Sequence, residues 1–409
     1  MQIRRSKKNL MASLLTYATV CLLLFIVVGS THAHLGLPPK VFDVTTYGAV
    51  ADGKTDNAKA FLTAWTDACQ WKGRSRVLIP SKGTYVLSSM TFKGPCKGPI
   101  SVLIKGVLKA PSDPSYGDHW ITFQYIDRLV VKGGGTLDAQ GTYAWSHNDC
   151  SKNSQCKALP VSMAFDYISN SRVQYLKSID SKSVHFDLFE CSYMNISNIR
   201  LTAPDESPNT DGIRIGNSNN IKISNSVIGT GDDCIAMISG SKDIDVSGVT
   251  CGPGHGISIG SLGKFQTDNK VSGITVRNVT FTGTQNGVRI KTWAPSNQGF
   301  AEDFTFENLV MNNVYNPIII DQHYCPRANC DTKAHSSVQI HNVMFNNIRG
   351  VSSSKVAVAL NCSSSHPCEG IKLVDINLTY NGREGAPSMA LCSNVHGESS
   401  GEQNPPSCI

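Results

Sequence analysis

The sequence is poor in charge and in aromatic rings. Charged residues make up 17% and Phe, Trp and Tyr together 8% of its 409 residues. Helix bundles carry polar faces rich in Lys, Glu and Arg at helical spacing, and so little charge argues against one. After Lys8 there is no block of Lys or Arg, which removes the electrostatic footprint of a nucleic-acid binder. The leucine consensus of leucine-rich repeats and the Trp-Asp signal of propeller blades are both missing. No two cysteines stand at C-x2-C zinc spacing, so disulfides are the better reading of the cysteines. What is plentiful is Gly, at 35 residues, with Asn, Ser, Thr, Val and Ile throughout, a mix that suits strands joined by many turns.

The stretch from Met1 to Ala33 has the layout of a secretory leader. A basic "MQIRRSKKN" precedes an apolar, uncharged "LMASLLTYATVCLLLFIVVG" and a small-residue site at Thr31 and Ala33. An uncleaved anchor is the alternative reading of that apolar run. Cleavage would remove Arg4, Arg5, Lys7 and Lys8 and lower the formal charge from +6 to +2. The mature chain would then have no membrane segment. Of the 14 cysteines, Cys21 would leave with the leader, and an odd 13 would remain. Close pairs at Cys150/Cys156, Cys325/Cys330, Cys362/Cys368 and Cys392/Cys408 read as disulfides of an oxidising compartment. Cys191, in the apolar stretch "FDLFEC", is the candidate free thiol. Sequons at Asn195, Asn278, Asn361 and Asn377 fit a glycosylated, secreted chain.

One pattern organises most of the chain. Period-2 segments recur as "NISNIRL", "IKISNSVI", "IDVSGVTC", "ITVRNVTF", "FTFENLVM", "VQIHNVMF" and "IKLVDINL". They centre on Asn198, Asn225, Gly248, Asn278, Asn308, Asn342 and Asp375, so the repeat is roughly 20 to 35 residues long. Strand-and-turn repeats of this length predict an all-β solenoid, a right-handed parallel β-helix whose coils stack about 4.8 Å apart. The Asn at equivalent turns would bond to one another in a ladder. An amphipathic helix with Ala60, Phe61, Ala64, Trp65 and Ala68 on one face, N-capped by Thr55 or Asp56, would close the open apolar end. One domain over residues 34–409 is expected.

A second set of strands aligns candidate chemistry. "TDGIRIG", "DDCIAMI", "GHGISIG" and "QNGVRIK" superpose Ile213, Ile235, Ile257 and Val288. The position before the aligned Gly or Cys holds Asp211, Asp233, His255 and Asn286, and the first two steps along this row are equal. Beside it lie Arg214, Ala236, Ser258 and Arg289, with Lys291 next but one along the strand, a face suited to an anionic chain. Singly, an Asp-Gly is a common turn and a lysine a common surface charge. Together they cluster three carboxylates, Asp211, Asp232 and Asp233, which oppose simultaneous ionisation and so supply an acid beside a base.

"SPNTDG" (207–212), "GTGDDC" (229–234), "CGPGHGISIGSLG" (251–263) and "NGVRIKTW" (286–293) resemble, in order and spacing, the signatures of family 28 glycoside hydrolases, the polygalacturonases. "SVHFDLFEC" and the N-terminal "FDVTTYGAVADGKTD" are most similar to the plant pollen-type exo-acting members. The resemblance implies hydrolysis of α-1,4-linked galacturonan (pectin) with inversion and with no metal or cofactor, in the cell wall, by a monomer. It implies Asp232 as the acid, Asp211 and Asp233 as joint activators of water, and His255 as the group tuning the acid. Arg289 and Lys291 would bind the substrate carboxylate, and Asn209, Arg214 and Tyr324 would line subsites; position 214 is often His in plant members. Two same-row carboxylates about 5 Å apart would by themselves suit a retaining pair, so inversion is carried by the family alone. Cys251, on the coil after Cys234, is its expected disulfide partner. Endo action, a calcium-dependent pectate lyase and a non-catalytic wall protein of the same fold are the competing readings.

Overall fold

The computed structural model describes residues 38–113, 117–148, 153, 156–268, 270–326, 330, 331, 333–382 and 387–409. The expected leader and Cys150 lie outside them. The unit Lys40–Ile409 is a right-handed parallel β-helix. An 11-stranded sheet carries the second motif set, and a 21-stranded sheet carries the repeat segments. Alternation along each strand sends every second side chain inward. In the first sheet Ile213, Ile235, Ile257, Val288, Ile318 and Val358 stack on successive coils, each at most 1% exposed. Nearer the N-terminal end the filling is aromatic: Phe92, Phe123 and Phe165 stack at 5.1 and 5.6 Å between ring centres. No helix among the described residues is long and apolar enough to cross a membrane.

The helix Ala58–Gln70 lies where the sequence placed it and buries Phe61, Ala64, Trp65 and Ala68. Phe61 meets Tyr85 at 5.7 Å and Trp65 meets Phe92 at 4.9 Å, so the helix seals the aromatic end of the core. Its N-cap is Asn57 rather than Thr55 or Asp56. The Asn57 side chain is drawn away to the backbone of Val50, Thr55 and Val86, and Asp56 Oδ1 accepts the Ala58 N–H instead at 3.1 Å.

The turn row also departs from expectation. Asn198, Asn225, Gly248, Asn278 and Asn308 do align coil on coil. The next partner is Asn347 and not Asn342, which pairs in register with Asp303. One strand, Val338–Ser352, carries both asparagines, and each matches the turn pattern. What the row shares is backbone shape: φ runs from +48° at Asn225 to +63° at Gly248, a region Asn and Gly tolerate best. The side-chain ladder reduces to single rungs such as Asn347 Nδ2 to Asn308 Oδ1 at 2.8 Å.

Disulfides join Cys69–Cys96, Cys234–Cys251, Cys325–Cys330, Cys362–Cys368 and Cys392–Cys408, and Cys191 is a buried free thiol. The Cys234–Cys251 bridge ties two coils together beside Asp233. Replacing both cysteines by Ala is expected to lower stability by about 3 kcal/mol through the lost loop constraint. Urea unfolding measures this, and an unchanged midpoint would show that the coils hold without the bridge.

Candidate active site

Two stitched turns aim the acids. Ser207 Oγ donates to Pro204 O at 2.5 Å, and the Ser207 and Thr210 hydroxyls bond at 2.7 Å. Thr210 Oγ1 then accepts the Gly231 N–H of the next coil at 2.9 Å. Residue 231 must be glycine, because a Cβ there would lie 2.0 Å from Ser207 O. The backbone continues in step: Gly212 N donates to Asp233 O and Cys234 N to Gly256 O, each at 2.8 Å. Asp211 and Asp233 thus occupy matching places on consecutive coils, and Asp232 leaves the turn one position earlier.

The three carboxylates sit in different electrostatic settings. Asp233, 2% exposed, accepts from Lys291 Nζ at 2.7 Å, Arg289 Nη2 at 2.8 Å and Ser258 Oγ at 2.7 Å. Burial alone would raise its pKa, but Lys291 and Arg289 outweigh burial and hold it below the usual carboxylate range. Asp211 goes the other way. Burial first, then the charges of Asp232 and Asp233, push it well above that range against the pull of Lys291 and Arg214. Asp232 is more exposed than Asp233, with 23% of its side chain open. Its Oδ1 meets His255 Nδ1 at 2.9 Å and accepts the Asp233 N–H at 2.8 Å.

The four residues Asp211, Asp232, Asp233 and His255 are therefore brought together, and two of the cations expected beside them, Arg289 and Lys291, both bond Asp233. Arg289 also donates to Ser258 Oγ at 3.0 Å. Arg214 forms a two-point pair with Asp187, at 2.9 and 2.7 Å. Asp187 was missed by sequence reading, although it sits opposite Arg214 in the same register, one coil back. Asn209 and Tyr324 line a cleft of about 1150 Å³ with Trp145, Glu206, Lys264 and Trp293, none of which sequence reasoning singled out. Trp293 closes the fourth motif and Lys264 follows the third, so position beside a motif was the available signal.

Asp232, Asp233 and His255 could each offer one ligand atom within 4.8 Å of the others. Both Asp233 oxygens already accept from cations, and a divalent ion there would meet Lys291 and Arg289 at close range. The donor set fits proton chemistry better than a metal.

Clustered carboxylates on one face of stacked coils fit acid–base chemistry. Residues 69–405 match the family model described as glycosyl hydrolases family 28, and the chain belongs to that family of glycoside hydrolases. It is 47% identical over 368 residues to an exopolygalacturonase of Platanus acerifolia, covering 89% of this chain and 97% of the relative. A polygalacturonase of Gossypium barbadense is 44% identical over 392 residues, covering 95% of this chain and 94% of the relative. Among solved structures, the endo-xylogalacturonan hydrolase of Aspergillus tubingensis superposes with a TM-score of 0.74 at 22% identity, over 88% of this chain and all (100%) of that one. That likeness speaks to fold.

Proposed function

We propose that this enzyme hydrolyses α-1,4-galacturonosyl linkages of pectic galacturonan from a chain end, with inversion. The observation that carries the reading is one cluster holding a cation-locked Asp233, Asp211 in the matching place one coil back, and Asp232 on His255. In this reading Asp232 protonates the leaving oxygen, and His255 at its Oδ1 holds the proton on the outward oxygen. Asp211 and Asp233 take the attacking water between them on the opposite side of the bond. Lys291 and Arg289 act through Asp233, keeping a base charged in a buried site. Asn209 and Tyr324 line the path of the sugar chain, and Arg214, paired with Asp187, serves a neighbouring subsite.

The names of the Platanus acerifolia and Oenothera organensis relatives, both exopolygalacturonases, support chain-end action. The reading also takes residues 1–33 as a cleaved leader, residues 34–409 as one domain, and the product as a secreted monomer of the cell wall. Sizing of products from long polygalacturonate tests it: monogalacturonate alone from the first time points is expected. Mixed oligomers from the outset would make the enzyme endo-acting, and an unsaturated product would make it a lyase.

One observation favours a second assignment of the same roles. Burial and the charges of Asp232 and Asp233 favour the protonated form of Asp211. Asp211 would then be the acid and Asp232, steered by His255, part of the base.

A further inference from the structure

An anionic chain needs positive charge in its cleft, and the cations named above are already matched. Arg214, Arg289 and Lys291 each bond a carboxylate at 2.7 to 2.8 Å. Lys264 lines the cleft, is exposed, and among the described residues pairs with no carboxylate. Its ammonium lies 5.1 Å from the Trp293 ring centre and 5.2 Å from that of Phe265. Trp293 is in turn fixed edge-on against Tyr324 at 5.5 Å, its strand neighbour on the next coil.

The backbone beneath Lys264 is held too. Asn297 N donates to Gly263 O at 2.8 Å, and Asn297 Nδ2 donates to Lys264 O at 3.2 Å. Gly263 has φ +83°, and a Cβ there would lie 2.6 Å from Ser296 Cβ. A lysine resting on a ring is common on protein surfaces and needs no ligand. Here the main chain is clamped, the ammonium lies by the rings of Phe265 and Trp293, and Lys264 lines a cleft with two residues of the predicted substrate path, Asn209 and Tyr324.

We infer that Lys264, held on Trp293, is a substrate-binding residue that receives the carboxylate of a uronate unit in the cleft. The inference rests on the galacturonan reading above. Lys264 supplies a charge-assisted contact already in place before the chain arrives, so little ordering is lost on binding. Trp293 is a positioning residue. Glu206, on the cleft wall, sets the opposite sign and bounds where a second carboxylate can lie.

The test compares the unaltered enzyme with Lys264→Met and Lys264→Arg on polygalacturonate and on its fully methyl-esterified form. For K264M we expect KM on polygalacturonate to rise about tenfold at low ionic strength, with kcat within about twofold. The gap should narrow as salt screens the contact and disappear on the esterified chain. K264R should keep near-normal KM. An unchanged KM at low salt, or a kcat loss at unchanged KM, overturns the inference while leaving the galacturonan reading in place. Failure of the unaltered enzyme to cleave either polymer overturns that reading, and this one with it.

Discussion

Asp232→Asn is expected to lower the rate of reducing-end release from polygalacturonate by about a thousandfold, the range lost when a general acid is removed. The fold should survive. Asn can accept the Asp233 N–H and the His255 contact through its own carbonyl oxygen, the two bonds that Asp232 Oδ1 now makes. An unchanged unfolding midpoint with lost activity is the predicted pair of results; retained activity removes Asp232 from the acid role. The choice between Asp232 and Asp211 is decided by a galacturonide bearing an activated leaving group, which needs no protonation. D232N should regain most of its rate on that substrate and Asp211→Asn should not. The reverse pattern assigns the acid to Asp211.

Lys291→Met is the second large effect, and it should not look like a binding defect. Lys291 is 6% exposed, and its ammonium is bonded to Asp233 at 2.7 Å. Removing one partner of a buried pair leaves the other charge undercompensated, at a cost of about 3 kcal/mol with Arg289 still in place. Asp233 has a depressed pKa in the folded protein. A depressed carboxylate stabilises the fold above its unfolded pKa, and that stabilisation is lost as pH falls through the folded value. K291M should therefore be less stable than the parent at neutral pH, with the difference shrinking toward strong acid. Its activity profile should shift as well. Asp233 would hold its proton to higher pH, so the acidic limb moves upward and kcat at the parent's optimum falls about a hundredfold. An acidic limb that stays in place, with only KM raised, would return Lys291 to direct substrate binding.

The coil stack behind both effects was legible in the sequence because its signal is periodic: Ile213, Ile235, Ile257 and Val288 are aligned in the chain as they are in space. The acids were legible because Asp211, Asp233 and His255 recur at equal steps, which put them on consecutive coils. The direction of a long side chain is not periodic. Arg289 and Lys291 read as cations beside a groove, and only three-dimensional placement shows them closing on Asp233. Asp187 lies outside the four motifs, and Lys264 depends on a clamp that the distant Asn297 closes. The long step from Asn308 to Asn347 escaped because Asn342 offered an equally good turn just before it.

Cys191 has a consequence for how the molecule is made. It is 1% exposed, its thiol lies 3.1 Å from Phe165 O, and burial pushes its pKa up to about 12. Thiol exchange proceeds through the thiolate, which such a group does not furnish at physiological pH. Once the coils around it have closed, this free thiol is out of circulation and cannot attack the bridges of the fold. The β-helix itself thus shields the Cys191 thiol from exchange with the bridges of the same fold.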